Sequence, residues 1–310
     1  VSGGREAKRN QDRPVGFAAK ARRHVMSRGA ESRKGEADSE PVRENVFPLR
    51  HRGRPHSPMK LGPEVDSPPW YLGGEVLHVS LMMEPEKARS LVPQPLDIGP
   101  NPGEAALWFT EWVSASESRP DLAFMFPEKA IYRECMVMVA CQYQGTRGYF
   151  VPYSWVDSGS SQVRGLIQGF PRKADRISLT RLHPLNPKLG GRRPGARVKG
   201  VCFAEGQRLL EGSLLFSRES EPSAVPSTKL FFLHRFQMIE HYDRAAVDEL
   251  TTGRVSEARI TDVWAGEGEV TFFDSPFEDF SALKGMRVTG GLHFSMGLTI
   301  AGGEVVYKYV

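Results

Sequence analysis

From Pro68-Pro69-Trp70 onward, strand-like stretches follow one another with turn signals between them and almost no helical period to separate them. That succession restricts the fold more than any other feature of the chain. A doubly wound parallel sheet needs helices alternating with strands, and that alternation is missing. One mostly antiparallel β domain with two or three helices is the reading that remains. The first strand is carried by Val76, His78, Ser80 and Met82 alternating with Leu77, Val79, Leu81 and Met83.

The spacing predicts further strands over 104–115 and 130–144, the second turning at 145–148 into a strand that runs from 149 to 156. More strands are expected at 175–183, 196–205, 207–216, 228–239, 254–264, 268–274, 286–299 and 304–310. A short helix follows the first strand, with Pro85 in its first turn and Pro93 ending it. A second helix is predicted with Asp157 as its cap, Val163, Leu166 and Ile167 as its apolar face and Gly169 as its stop.

The front of the chain has a different texture. Residues 1–60 hold 15 Lys or Arg against 7 Asp or Glu, so the body from 61 to 310 is slightly acidic although the whole chain is +4. Residues 1–69 are rich in Arg, Ser, Gly and Pro and bury too little to offset the entropy of ordering them, so they are expected to form a disordered basic tail before a domain at 70–310. A true start at Met26 or Met59 is the expectation that accompanies this reading. Acids at Glu31, Glu36, Asp38, Glu40 and Glu44 oppose a transit peptide and dilute any nucleic-acid-binding stripe, and no apolar stretch resembles a secretory signal or a membrane span. Neither a nucleic acid nor a membrane is therefore an expected partner. Cys135, Cys141 and Cys202 form no CxxC or Cys/His cluster, so no metal is expected, and their number suits a reducing cytoplasm.

Familiar catalytic motifs do not survive their context. His293-Phe294-Ser295-Met296-Gly297 lacks the first glycine of a nucleophile elbow and is followed by strand, not helix. No P-loop, dinucleotide fingerprint or HExxH is present, and His78, His183, His234, His241 and His293 are scattered singly. Trp70, Trp108, Trp112, Trp155 and Trp264 read first as packing residues.

What remains is an ordered set of segments: Leu91-Val92-Pro93-Gln94-Pro95-Leu96-Asp97-Ile98 after the first helix, Tyr132-Arg133-Glu134 opening a strand, Gly169-Phe170-Pro171-Arg172-Lys173 after the second helix, and the late stretch 258–274. In this order and spacing the chain resembles the acetoacetate decarboxylase-like family over residues 70–310. The resemblance implies a mainly β (α+β) fold, an antiparallel cone-like β-barrel with a few short helices enclosing a pocket, usually within a homo-oligomer. It implies a lyase-type enzyme acting on a small keto acid without metal or organic cofactor. In that family a lysine of a Lys-Lys pair after the turn forms a Schiff base with the ketone, and an acid in the "RE" strand organises the site. Glu134 matches that acid, and Phe170-Pro171 match the turn.

Here, however, Arg172 stands where the nucleophilic lysine is expected, and a guanidinium neither deprotonates usefully nor forms an imine. Gly74 replaces an arginine of the decarboxylase, and Arg164-Gly165-Leu166 replaces the family's Gly-Arg-Glu. Two readings stay open. Lys173 supplies the Schiff-base amine with Arg172 as its cationic neighbour, which needs a bulge because adjacent side chains of an extended segment face opposite ways. Alternatively Arg172 points inward as a carboxylate clamp and no imine forms, so that the protein either only binds a carboxylate-bearing small molecule or catalyses a step needing acid–base help from Glu134. Tyr132, Trp155 and Phe170 are expected to line the substrate pocket. Glu111 is a further candidate acid whose alignment is ambiguous by one residue, and one residue changes its face. His234 and Arg235 are weaker candidates for a polar contribution.

Overall fold

A computed structural model of the protein describes residues 64–226, 230–237 and 245–309. Eleven strands lie in one sheet, and all pairings are antiparallel except those of β4 with β5 and β9. In chain order the elements are β1 (Trp70–Met82), α1 (Pro85–Leu91), β2 (Glu104–Ser116), α2 (Leu122–Met125), α3 (Pro127–Ala130), β3 (Ile131–Tyr143), β4 (Thr146–Val156), α4 (Gly159–Gln168), β5 (Arg172–Ala174), β6 (Ile177–Leu179), β7 (Arg197–Ala204), β8 (Gln207–Glu219), β9 (Phe231–Gln237), β10 (Val247–Phe272) and β11 (Arg287–Lys308). Strands β11, β1, β2, β3, β4, β9 and β10 follow one another, and pairing of β10 with β11 closes them into a ring. The far half of β10 instead pairs with β8, which leads through β7 to β6.

This arrangement gives the first three strands two buried faces. On one, Leu77, Val79, Leu107, Phe109, Cys135 and Val137 pack against Ile177, Val198, Leu210 and Leu214 of β6–β8. On the other, Trp70, Val76, Trp108, Tyr132 and Met136 look into the ring together with Phe294 and Met296 of β11. The near-continuous apolar run of β3 follows from burial on both sides. Strands β2 and β7–β8 approach closely where the Phe109 ring lies on the paired glycines Gly200 and Gly212, since a Cβ on Gly200 would come within 2.3 Å of that ring.

Several expectations are corrected. The strands predicted at 254–264 and 268–274 are one, β10, and those at 286–299 and 304–310 are one, β11. The intervening glycines are irregularities within strands rather than ends. Gly266 sits at a register shift where a Cβ would stand 1.9 Å from the Leu215 carbonyl oxygen, and Gly302 has a φ of 135°. The segment 175–183 yields only the three-residue strand β6 after the equally short β5. The ends of the predicted strand 228–239 and His241 lie outside the described residues, as does the tail up to residue 63. Residues 64–69, assigned to that tail, are packed: Val65 is buried, Trp70 Nε1 donates to the Asp66 carbonyl at 2.8 Å and Ser116 Oγ to that of Ser67 at 2.6 Å. Among the described residues no helix is long and apolar enough to cross a membrane.

One buried polar contact sets an acid limit on the fold. Trp108 Nε1 donates to His78 Nδ1 at 2.6 Å, so the imidazole is held neutral with its other nitrogen 2.9 Å from Ser80 Oγ. Burial pushes the His78 pKa down to about 4, and burial with Arg192 nearby pushes that of His293 to about 3. The unfolded chain therefore binds protons first, and stability falls as pH drops from about 6.5 toward 4. The expected loss through His78 is about 3 kcal/mol at pH 4, read from urea midpoints at pH 7 and pH 4. An unchanged slope of stability with pH in His78→Gln would contradict this assignment.

Candidate functional site

The turn after α4 decides which side chains reach the ring interior. Helix α4 begins at Ser158, not at Asp157: Ser158 Oγ accepts from Ser161 N at 3.4 Å, while Asp157 accepts from the Arg133 backbone N–H at 2.6 Å. The helix ends at Gly169, whose φ of 109° a side chain would resist. The predicted apolar face is not the buried one. Leu166 and Ile167 are exposed, and the positions turned inward are the small residues Ser161 and Gly165.

That small face exists to receive Arg172. A Cβ on Gly165 would stand 2.1 Å from Arg172 Cδ, so only glycine leaves room for the arginine to cross beneath the helix. Arg172 Nε and Nη2 donate to Glu134 Oε1 at 3.0 and 2.6 Å, and Nη1 donates to Ser161 O at 2.7 Å and Ser161 Oγ at 3.1 Å. Its plane also lies 4.6 Å from the centre of the Phe170 ring. Both charged side chains are buried, at 5% and 3% exposure. A pair this dry holds because Ser161 takes two further donors of the guanidinium, leaving one Nη2 hydrogen unused. Glu134 Oε1 collects the arginine bonds and a weak one from Ser154 Oγ at 3.5 Å, and the residue lines the cavity.

Strand pairing fixes the opposite fate of Lys173. Strand β5 runs parallel to β4 with Ser154 beside Arg172 and Trp155 beside Lys173, and neighbours in register share a face. Lys173 therefore stands on the side of Trp155, where its exposed Nζ is 2.5 Å from Glu278 Oε1. The expectation that Lys173 brings an amine into the pocket is corrected, because no bulge interrupts β5. Trp155 is likewise corrected: it stacks on Tyr153 at 6.1 Å and donates to Glu278 at 3.2 Å, away from the ring interior. Glu111 also faces the other way, bound by Arg133 at 2.8 Å and by Arg181.

The ring encloses a cavity of about 510 Å³. Tyr132, Glu134, Phe170 and Arg172 line it, and no lysine does so among the described residues. Arg235 lines it too but is bound by Glu249, whose carboxyl it holds below the usual range, while His234 turns to Asp248 at 2.7 Å. A second cavity of about 340 Å³ adjoins it and shares Trp70, Tyr132 and Arg164. The residues that sequence reasoning passed over are Ser161, Arg164 and Gly165. Small residues four apart, Ser161, Gly165 and Gly169, were the available signal of a close approach. No group of His, Cys, Asp and Glu among the described residues is arranged to hold a metal ion.

A β ring with a mainly apolar cavity and a buried Arg–Glu pair in its wall defines a small-molecule enzyme scaffold. The chain belongs to the acetoacetate decarboxylase (ADC) family, which it matches over residues 53–310. It is 20% identical to the acetoacetate decarboxylase of Clostridium botulinum (strain Eklund 17B / Type B) over 238 residues, 76% of this chain and 87% of that one. Among solved structures it is similar to an acetoacetate decarboxylase-like enzyme from Sphingomonas wittichii RW1, with 31% identity, a TM-score of 0.76 and coverage of 79% of this chain and 95% of that one. It is also similar to the enduracididine biosynthesis enzyme MppR complexed with the condensation product of pyruvate and imidazole 4-carboxaldehyde, at 28% identity, a TM-score of 0.74 and coverage of 83% and 96%. MppR is further known complexed with pyruvate. The chain is thus an enzyme of the acetoacetate decarboxylase-like kind.

Proposed function

We propose that the protein acts on a small keto acid in the ring cavity by acid–base chemistry at Glu134, with Arg172 as a fixed cation and without an imine. The observation that carries this reading is the exchange of sides at β5, with a guanidinium facing the cavity and the neighbouring amine outside it. The pyruvate complexes of MppR support a keto acid as the ligand. Glu134 Oε2 takes a proton from the carbon beside the ketone, and the C–H electron pair moves onto the carbonyl oxygen. Arg172 uses four of its five N–H donors on Glu134 and Ser161, so one Nη2 hydrogen remains to stabilise the enolate oxygen. A homo-oligomer belongs to the same proposal, and the exposed Phe124, Met125 and Phe126 are apolar surface that suits a subunit contact; light scattering reports it.

Two measurements test the chemistry. Exchange of the pyruvate methyl protons in D2O is expected to be catalysed and to fall about 100-fold or more in Glu134→Gln. Borohydride reduction with pyruvate is expected to leave the wild-type mass unchanged, whereas an adduct mapped to Lys173 would refute the imine-free reading. Arg172→Lys installs an amine facing the cavity, and there an adduct is expected at residue 172. Its yield should climb with pH, because the Glu134 carboxylate favours the charged ammonium.

A further inference from the structure

Arg164 lines both cavities, as Asp66 does, and among the described residues no carboxylate oxygen lies within ion-pair distance of its guanidinium. Its Nη1 donates to Ser114 Oγ at 2.9 Å and its Nη2 to Tyr132 OH at 2.7 Å. Its guanidinium centre lies 5.6 Å from the Trp70 ring centre and 5.2 Å from that of Tyr132. Neutral hydroxyls orient a guanidinium but do not neutralise it, and no carboxylate pairs with Arg164 among the described residues. The other arginines of the ring cavity are committed, Arg172 to Glu134 and Ser161 and Arg235 to Glu249. Three of the five Arg164 donors remain free for a planar anion.

The cavity beside it has a second property. At about 510 Å³, it lies in the range of drug-sized ligands and would be mostly unfilled by a three-carbon acid. Its walls include Trp70, Trp112, Phe170, Phe231 and Met296, which reward an apolar body and orient an aromatic one.

We infer that Arg164 is the carboxylate anchor of the site and that its ligand is a keto acid bearing an aromatic or similarly bulky apolar substituent. This rests on the reading that the ring cavity takes a keto acid. It assigns the carboxylate to Arg164 and leaves Arg172 to the reacting oxygen. Calorimetric titration of the full chain with pyruvate, phenylpyruvate and methyl phenylpyruvate tests it. Phenylpyruvate is expected to bind about tenfold or more tighter than either pyruvate or the uncharged ester. In Arg164→Gln the acid and the ester should bind alike, with ester affinity within about twofold of wild type. Tyr132→Phe, which removes only one hydroxyl holding the guanidinium, should weaken the acid about three- to tenfold and spare the ester. The ester serves as the folding control in each variant. A preference for acid over ester that persists in Arg164→Gln would overturn the anchor while leaving the keto acid reading intact. Failure of all three probes to bind wild type would overturn that reading itself, and the anchor with it.

Discussion

Glu134→Ala is expected to destabilise the protein by about 3–5 kcal/mol, which would be among the largest effects of any single substitution at the site. The loss comes less from the vanished attraction than from what is left behind. Arg172 stays buried at 6% exposure, with Nε and Nη2 deprived of their carboxylate acceptor. Removing both charges with Glu134→Leu and Arg172→Met should recover most of that stability, because two apolar side chains of similar size need no partner in a buried place. Urea unfolding of the two variants checks this, and a double variant no more stable than Glu134→Ala would contradict it. Catalysis in the double variant should be abolished all the same.

The second large effect is expected at Gly165→Ala. On an exposed helix surface this change stabilises by about 1 kcal/mol. Here the new methyl group would stand 2.1 Å from Arg172 Cδ and 2.7 Å from Nε. These atoms lie in the middle of a side chain pinned at its end by Glu134 and Ser161, so they cannot step aside without breaking those bonds. A net destabilisation of about 1–3 kcal/mol is expected, with loss of proton exchange on pyruvate. The cause is identified by non-additivity. In an Arg172→Ala background the clash is absent, and the same Gly165→Ala change should be neutral or stabilising. A penalty that persists there would locate the conflict elsewhere.

Much of the fold was legible because its strands obey simple periods. Strands β2 to β4 lie within one to three residues of their predicted bounds, β1 starts six residues before the alternation read at 76–83, and Gly169 closes α4 as expected. The long strands β10 and β11 were each divided in two because glycine ends a strand and bends one with the same letter, and only the partner's position distinguishes these. The helix face at α4 was misread for a related reason. An apolar stripe was assumed to mark the buried side, whereas close approach of Arg172 required the small stripe of Ser161 and Gly165. At the cavity, Glu134, Phe170 and Tyr132 are lining residues that the sequence had singled out, but Arg164 was noticed only as a departure from a pattern.

The sequence by itself determined that the chain is built of antiparallel strands, that an arginine stands where an amine was expected, and that residues 172 and 173 face opposite ways. It could not determine which of the two looks inward. Alternation along an extended segment fixes the relation between neighbours but not the sign, and a three-residue strand contains no apolar pattern to supply it. That sign came from pairing with β4, which sets Arg172 beside Ser154 and Lys173 beside Trp155. Whether the cavity holds a primary amine or a guanidinium bound to a carboxylate was therefore decided by tertiary contacts between strands far apart in the chain.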